Sequence, residues 1–246
     1  MDLQVLMFVA IGFFAQLIDG ALGMAFGVIA SSALMATGAP PAIASAAIHA
    51  AEVVTTGISG ASHIWNKNVD RELFFKLVIT GIGGGVVGAY ILTGLPEPII
   101  KPIVTVYLAA MAGLIIARVL GWKLKRWQPP TPVIGAGGGF LDAIGGGGWG
   151  PLVASTLIAG GDNPRRAIGS VNLAEFFITV SVSVTFLTQL DLAQYGKLVL
   201  GLIIGGALAA PLAGYLLRIL PTRVALILVG IVVAGLSLIN LVNLFI

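Results

Sequence analysis

Four acidic residues stand inside long apolar runs: Asp19, Glu52, Asp142 and Glu175. A charge at bilayer depth costs about 2.5–3.5 kcal/mol on insertion scales. Four of them facing lipid would cost roughly 10–14 kcal/mol, as much as the net stability of a whole fold. They must therefore face inward, be paired, or carry a proton. On the run 42–64, Ser45, His49, Glu52, Thr56, Ser59 and His63 fall within one narrow arc at about 100° per residue. Asn172, Glu175, Thr179 and Ser183 make the corresponding arc on 165–187. A polar stripe on an otherwise apolar helix reads as the wall of a hydrated path. The alternative is that hydroxyls bond back to their own helix while polar groups join neighbouring helices. His49 lies one turn before Glu52 and could donate to it or share a proton with it. Glu52, Glu175 and His49 are thus the candidates for proton coupling, and His63, near the helix end, reads as interfacial.

The elements that carry these residues are membrane helices. Of the 246 residues 58% are hydrophobic and only 9% charged, against about 25% charged in a soluble domain. Eight apolar segments, roughly 3–36, 42–64, 73–94, 99–121, 132–161, 165–187, 196–217 and 223–245, are separated by breakers rich in Pro, Gly and charge. This is the signature of an all-α polytopic membrane protein. With no Cys there is no disulfide or thiol chemistry, two His do not make a metal site, and no cofactor motif is present.

The chain repeats itself. A shift of 123 residues aligns Asp19 with Asp142, Gly23 and Gly27 with Gly146 and Gly150, Pro41 with Pro164, Glu52 with Glu175 and Thr56 with Thr179. We read 1–121 as a first membrane repeat, 122–131 as a basic cytoplasmic linker and 132–246 as a second repeat. The first segment of each repeat is too long for one span of about 20 residues. Each is interrupted near its centre, by Asp19–Gly23 and by Asp142–Pro151. Either the helix breaks and continues across, or it turns back at the midplane. Basic residues decide between these, because short cytoplasmic loops are enriched in Lys and Arg. If both segments cross, the 13 basic residues split eight to five between the faces; if both turn back, they split eleven to two. The second arrangement is favoured. It gives each repeat three crossings plus one re-entrant hairpin, inverts the second repeat, and places both termini outside a multi-pass protein of the cell (inner or plasma) membrane. Irregular backbone at membrane depth is tolerated where it lines a cavity, so the glycines mark where two hairpin tips approach each other.

Asp19 and Asp142 precede the return half of each hairpin. Each carboxylate could cap that helix, or the helix could point its first N–H groups at a bound anion while glycine lets the backbone come close. Two Gly-x-Gly-x-x-Gly matches, at 83–88 and 145–150, follow no strand and do not indicate a dinucleotide site. The spacings Gly81/Gly85, Gly84/Gly88 and Gly201/Gly205 indicate close helix packing instead. No phosphate-binding loop is present, so the chain does not power itself with ATP. Lys123, Lys125 and Arg126 between Trp122 and Trp127 read as an interfacial anchor, with no nucleic-acid partner implied.

The stretches Ala15–Met24, Ala47–Glu52 and Asp142–Pro151 resemble the TauE/SafE family of sulfite and organosulfur anion exporters, and the likeness extends over about residues 5–245. The resemblance implies a membrane transporter, not an enzyme, for sulfite, sulfonates such as sulfoacetate, or related small anions. Its substrate-binding candidates here are Asp19, Gly20, Gly23, Met24, His49, Glu52, Thr56, Asp142, Gly145, Gly146, Gly147, Gly148, Trp149, Asn172, Glu175 and Thr179. In the first copy Leu22-Gly23-Met24-Ala25 replaces the four glycines Gly145–Gly148 of the second. An uncoupled anion channel is the alternative; a membrane-embedded enzyme finds no metal cluster or activated nucleophile in the sequence. The expected partners are the lipid bilayer and a small anion, and a homo-oligomer is compatible with the sequence.

Overall fold

The computed structural model describes residues 2–22, 25–121, 129–219 and 222–245. Gly23, Met24 and the basic cluster Lys123, Lys125 and Arg126 lie outside them. The described residues are helical almost throughout and contain no strand. The first half comprises α1 (Leu3–Leu22), α2 (Phe26–Ala36), α3 (Pro41–Trp65), α4 (Arg71–Gly94) and α5 (Glu97–Val119). The second comprises α6 (Thr131–Gly145), a π-helical turn (Gly150–Ala154) continuing as α7 (Ser155–Gly160), α8 (Pro164–Gln189), α9 (Gly196–Ile219) and α10 (Thr222–Val242). By length and composition α3, α4, α5 (over 97–117) and α8 are long and apolar enough to cross a membrane. Large apolar side chains such as Ile58, Phe75, Ile103 and Val184 stand exposed on the outer surface, where lipid is the solvent that suits them.

Local sequence fixes the helix starts. Pro41 and Pro164 occupy first-turn positions whose missing N–H costs nothing there. Asp70 caps α4 by accepting from Leu73 N–H at 3.1 Å, and Asn163 caps α8 by accepting from Arg165 and Arg166 N–H. The end of α3 and the start of α8 are tied together: Asn66 O accepts from Arg165 Nη2 at 3.2 Å, and Ser170 Oγ accepts from Asp70 N–H at 2.8 Å. Going back into the molecule, Ser59 meets Asn172 and Gly57 meets Phe176. The two helices that the 123-residue shift equates, α3 and α8, therefore run antiparallel. The face where α3 ends carries Lys67, Arg71, Lys76, Arg165 and Arg166; we call it the basic face and its opposite the far face.

The remaining helices take their direction from glycine contacts. A methyl group on Gly81 would lie 2.5 Å from Ile178 Cδ1, and one on Gly85 2.7 Å from Val182 Cγ2, so α4 runs alongside α8 away from the basic face. Gly135 meets Leu77 and Gly88 meets Phe140, so α6 runs parallel to α4. Gly12 meets Leu202 and Gly201 meets Phe8, so α1 runs parallel to α9. The four-residue glycine spacings do serve close packing, as the sequence indicated. The pattern is symmetric under exchange of the halves: α1 of the first packs on α9 of the second, and α6 of the second on α4 of the first.

Both broken segments turn back. Thr131, at the start of α6, and Gly160 and Asp162, at the end of α7, line one pocket at the basic face. At the far face Lys197, in the first turn of α9, donates to Asp2 at 2.8 Å, which places the start of α1 there; that bond holds the Asp2 carboxyl below the usual carboxylate range. The pair α1–α2 returns to the same face, where α3 begins. The Asn240 side chain, near the end of α10, donates to Ser32 O on α2 at 3.0 Å. The chain thus contains two helical hairpins that enter from opposite faces.

Candidate functional site

The two hairpins meet at Gly27 and Gly147. A methyl group on Gly27 would sit 2.5 Å from Gly147 Cα, 2.6 Å from Gly146 O and 3.2 Å from Glu52 Oε1. Any side chain here would push the tips apart, so the junction is built of backbone. Each hairpin is closed by its own aspartate. Asp19 Oδ1 accepts from Phe26 N–H at 3.1 Å, and Asp142 Oδ1 accepts from Trp149 N–H at 3.0 Å. Both links span seven residues and are related by the 123-residue shift. The outgoing helix runs three residues past each aspartate, to Leu22 and Gly145, so the carboxylate caps the return helix from the side. Capping is what the sequence allowed; that the cap reaches back from within the preceding helix was not legible.

Beside the junction, on the side of the basic face, lies a cavity of about 460 Å³. At ~30 Å³ per water that is room for roughly fifteen water molecules. Its wall includes Asp19, Gly27, Val28, Glu52, Thr56, Ser59, His63, Gly148, Gly150, Pro151, Asn172 and Glu175, with no Lys or Arg among the described residues. Glu52 is 5% exposed, and its Oε2 has no hydrogen-bond partner among the described residues. The first N–H groups of a helix have no acceptor within it. In α2 the Phe26 N–H goes to Asp19, and the next residues, Gly27 and Val28, line the cavity where it meets the second hairpin. At the second hairpin Gly150 offers one amide and Pro151 none.

Of the residues singled out in the sequence, Asp19, Glu52, Thr56, Gly148, Asn172 and Glu175 come together on this wall. Gly20 lies in the last turn of α1. Asp142, Gly145, Gly146, Gly147 and Trp149 form the buried tip of the second hairpin, with the Trp149 indole donating to Val171 O at 3.1 Å. Thr179 is buried and donates to Phe176 O, the back-bonding that the stripe's alternative reading foresaw. The stripe on α3 divides at the junction. Thr56, Ser59 and His63 line the cavity, whereas Ser45 and His49 are sealed behind the glycines. His49 turns away from Glu52: its Nε2 lies 3.3 Å from Asp142 Oδ2. The i, i+3 spacing suggested a contact with Glu52, but the second hairpin, which brings Asp142 within reach, is invisible to spacing along one helix.

Sequence reasoning missed several contacts. Tyr107 on α5 donates to Gly147 O at 2.8 Å, and Ser31 and Ser45 donate to Gly145 O and Ala143 O at 2.7 and 2.6 Å. Gln16 also lines the cavity, with a buried Oε1 that has no partner among the described residues. Ser45 stood in the polar stripe although its acceptor was hidden; of the others only Gln16 had a signal, its place one turn before Asp19 on the same face of α1.

The family model described as Sulfite exporter TauE/SafE matches residues 8–240. The chain belongs to this family. Within the TauE/SafE family it is similar to the Bacillus subtilis (strain 168) protein named Probable membrane transporter protein YtnM. The two are 40% identical over 250 aligned positions, covering 96% of this chain and 83% of that one. No solved structure matches the chain. Like its family, this chain is a membrane transporter, and its apolar helices accord with that.

Proposed function

We propose that the chain is a secondary transporter of small anions that exports sulfite, a sulfonate such as sulfoacetate, or a related organosulfur oxyanion, with a proton bound alongside. The observation that carries this reading is the cavity at the hairpin junction. It combines the start of α2, at Gly27 and Val28, with the carboxyl groups of Glu52 and Glu175. The helix end favours negative charge. The carboxylates oppose it, since no Lys or Arg on the wall compensates them. An anion enters such a site when the carboxyls around it are protonated, and a protonated Glu52 then offers an O–H donor where its unpartnered Oε2 now stands. Anion and proton binding are linked for that reason. Glu52 and Glu175 are the proton carriers in this reading, and Thr56 and Asn172 are further polar contacts for the anion.

We further infer that the halves are inverted repeats, each with one re-entrant hairpin, and that the basic face is cytoplasmic. The antiparallel α3 and α8, the exchange packing of α1 and α6, and the basic residues gathered at one face support this. Both termini then lie outside the cell membrane, and the cavity lies on the cytoplasmic side of the junction.

Purified protein in proteoliposomes, supplied with sulfite or sulfoacetate and a trapped pH dye, tests this proposal. Anion flux accompanied by proton flux is expected, with Glu52→Gln abolishing the proton component. Flux that follows the membrane potential alone, unaltered in Glu52→Gln and Glu175→Gln, overturns coupling and leaves an anion channel. Reporters fused to the termini should both read outside; either one in the cytoplasm overturns the topology.

A further inference from the structure

The pair behind the junction obeys a proton count that the cavity carboxyls do not impose. His49 Nδ1 lies 2.8 Å from Ser45 O, a carbonyl that can only accept, so Nδ1 carries hydrogen. Ser45 Oγ, 3.3 Å from the same nitrogen, spends its own hydrogen on Ala143 O. A neutral ring with hydrogen on Nδ1 has a bare lone pair at Nε2, and Nε2 faces Asp142 Oδ2 at 3.3 Å. Opposite an ionised carboxylate that would set two lone pairs against each other, with His49 0% and Asp142 1% exposed. The contact closes only with one more proton, on the ring or on the carboxyl.

No base relieves the pair. Among the described groups around it, Glu52 on α3, Glu175 on α8 and Asp19 on α1 are themselves acids, and the Tyr107 hydroxyl on α5 spends its hydrogen on Gly147 O. The Phe186 ring covers His49, centroids 6.0 Å apart. The other Asp142 oxygen holds the Trp149 N–H, so the carboxyl joins the return half of the second hairpin to α3. The matched position in the other half is Asn172, whose amide could bond an ionised carboxylate without any added proton.

We propose that His49 and Asp142 form a proton-binding latch, sealed from the cavity and exchanging with the far face, that fastens the second hairpin to α3. Resting on the inverted-repeat reading, exchange of the two halves brings this pair to the wall of a cavity open to the far face, where the proton enters or leaves. Loss of the proton leaves a buried unpaired carboxylate against a lone pair, and the hairpin lets go of α3. Because Asn172 stands in for His49 in the other half, the latch senses only one of the two faces.

Two measurements test this, one of them independent of transport. The chain has two histidines, so His63→Asn leaves His49 alone for ¹⁵N-histidine NMR of the purified protein. Nδ1-bound hydrogen is expected, with a resonance that Asp142→Asn shifts. A neutral ring with hydrogen on Nε2 and Nδ1 bare overturns the proton count, whether or not any anion is moved. In oriented proteoliposomes carrying sulfoacetate, whose charge does not change near neutral pH, changing the pH on the far face alone should alter flux several-fold. His49→Asn, which copies the other half, should lose most of that far-face response whatever its absolute rate, while the response to pH on the cavity face, carried by Glu52 and Glu175, remains. Full far-face sensitivity in His49→Asn, or sensitivity only from the cavity face, overturns the latch. Should His49→Asn fail to fold, His49→Gln takes its place. Should no tested anion be moved, the anion reading fails and the NMR result alone decides the proton site.

Discussion

The first hairpin and the second share one plan and are held very differently. In both, an aspartate reaches seven residues ahead to cap the return helix. In both, the residue before the capped amide has the same unusual backbone, Ala25 at φ 133° and Gly148 at φ 141°. For glycine that conformation is free; for alanine it is strained by about 1–3 kcal/mol. The second tip is also gripped from outside, by Tyr107, Ser31 and Ser45 donating to its carbonyls and by His49 on its aspartate. The described part of the first tip has no such set of donors, and its aspartate lies on the cavity wall. The same seven-residue cap thus serves one element that is fastened and another that borders open space, and the difference lies in neighbours contributed by α2, α3 and α5.

Gly147→Ala attacks the contact both hairpins share and should have the largest effect. The added methyl falls on the Gly27 backbone at a residue of φ 146°, and a loss of about 3 kcal/mol or more is expected. Flux in proteoliposomes should fall to background, and near-normal transport would mean the tips do not meet in the working protein. Next, Ala25→Gly and Gly148→Ala set the strained turn against the relaxed one. The first should gain about 1 kcal/mol by removing strain, and thermal unfolding should read it as a rise of about 2–4 °C. The second should destabilise by more, because its methyl meets the Tyr107 hydroxyl. Equal and opposite shifts would contradict the extra grip on the second tip. Tyr107→Phe is the mildest of the destabilising changes: one buried donor is lost and Gly147 O is left without it, at about 1–2 kcal/mol. A change in unfolding temperature below about 1 °C would remove Tyr107 from the clamp.

Much of this was legible from residue types alone. Apolar run lengths located the helices, and the paired breaks at Asp19 and Asp142, weighed with the placement of Lys and Arg, indicated two hairpins. Intramembrane cost singled out Glu52 and Glu175, and both line the cavity. What stayed hidden depends on contacts between segments distant in the chain. Tyr107 looks like any aromatic on an apolar helix until Gly147 O is beside it. His49 was read along its own helix, toward Glu52, because periodicity knows nothing of Asp142, 93 residues away. The strain at Ala25 is equally silent, since nothing about an alanine in an apolar run signals positive φ.

The exchange packing of the first helix of each half has a consequence for biosynthesis. The bond from Lys197 to Asp2 closes a separation of 195 residues, so α1 leaves the ribosome long before α9 exists to receive it, and contacts of such range form slowly. Until then the face carrying Phe8 and Gly12 has lipid or the insertion machinery for company. A chain severed in the linker would yield two fragments, each missing the surface its leading helix needs, and co-expression should restore what neither achieves alone.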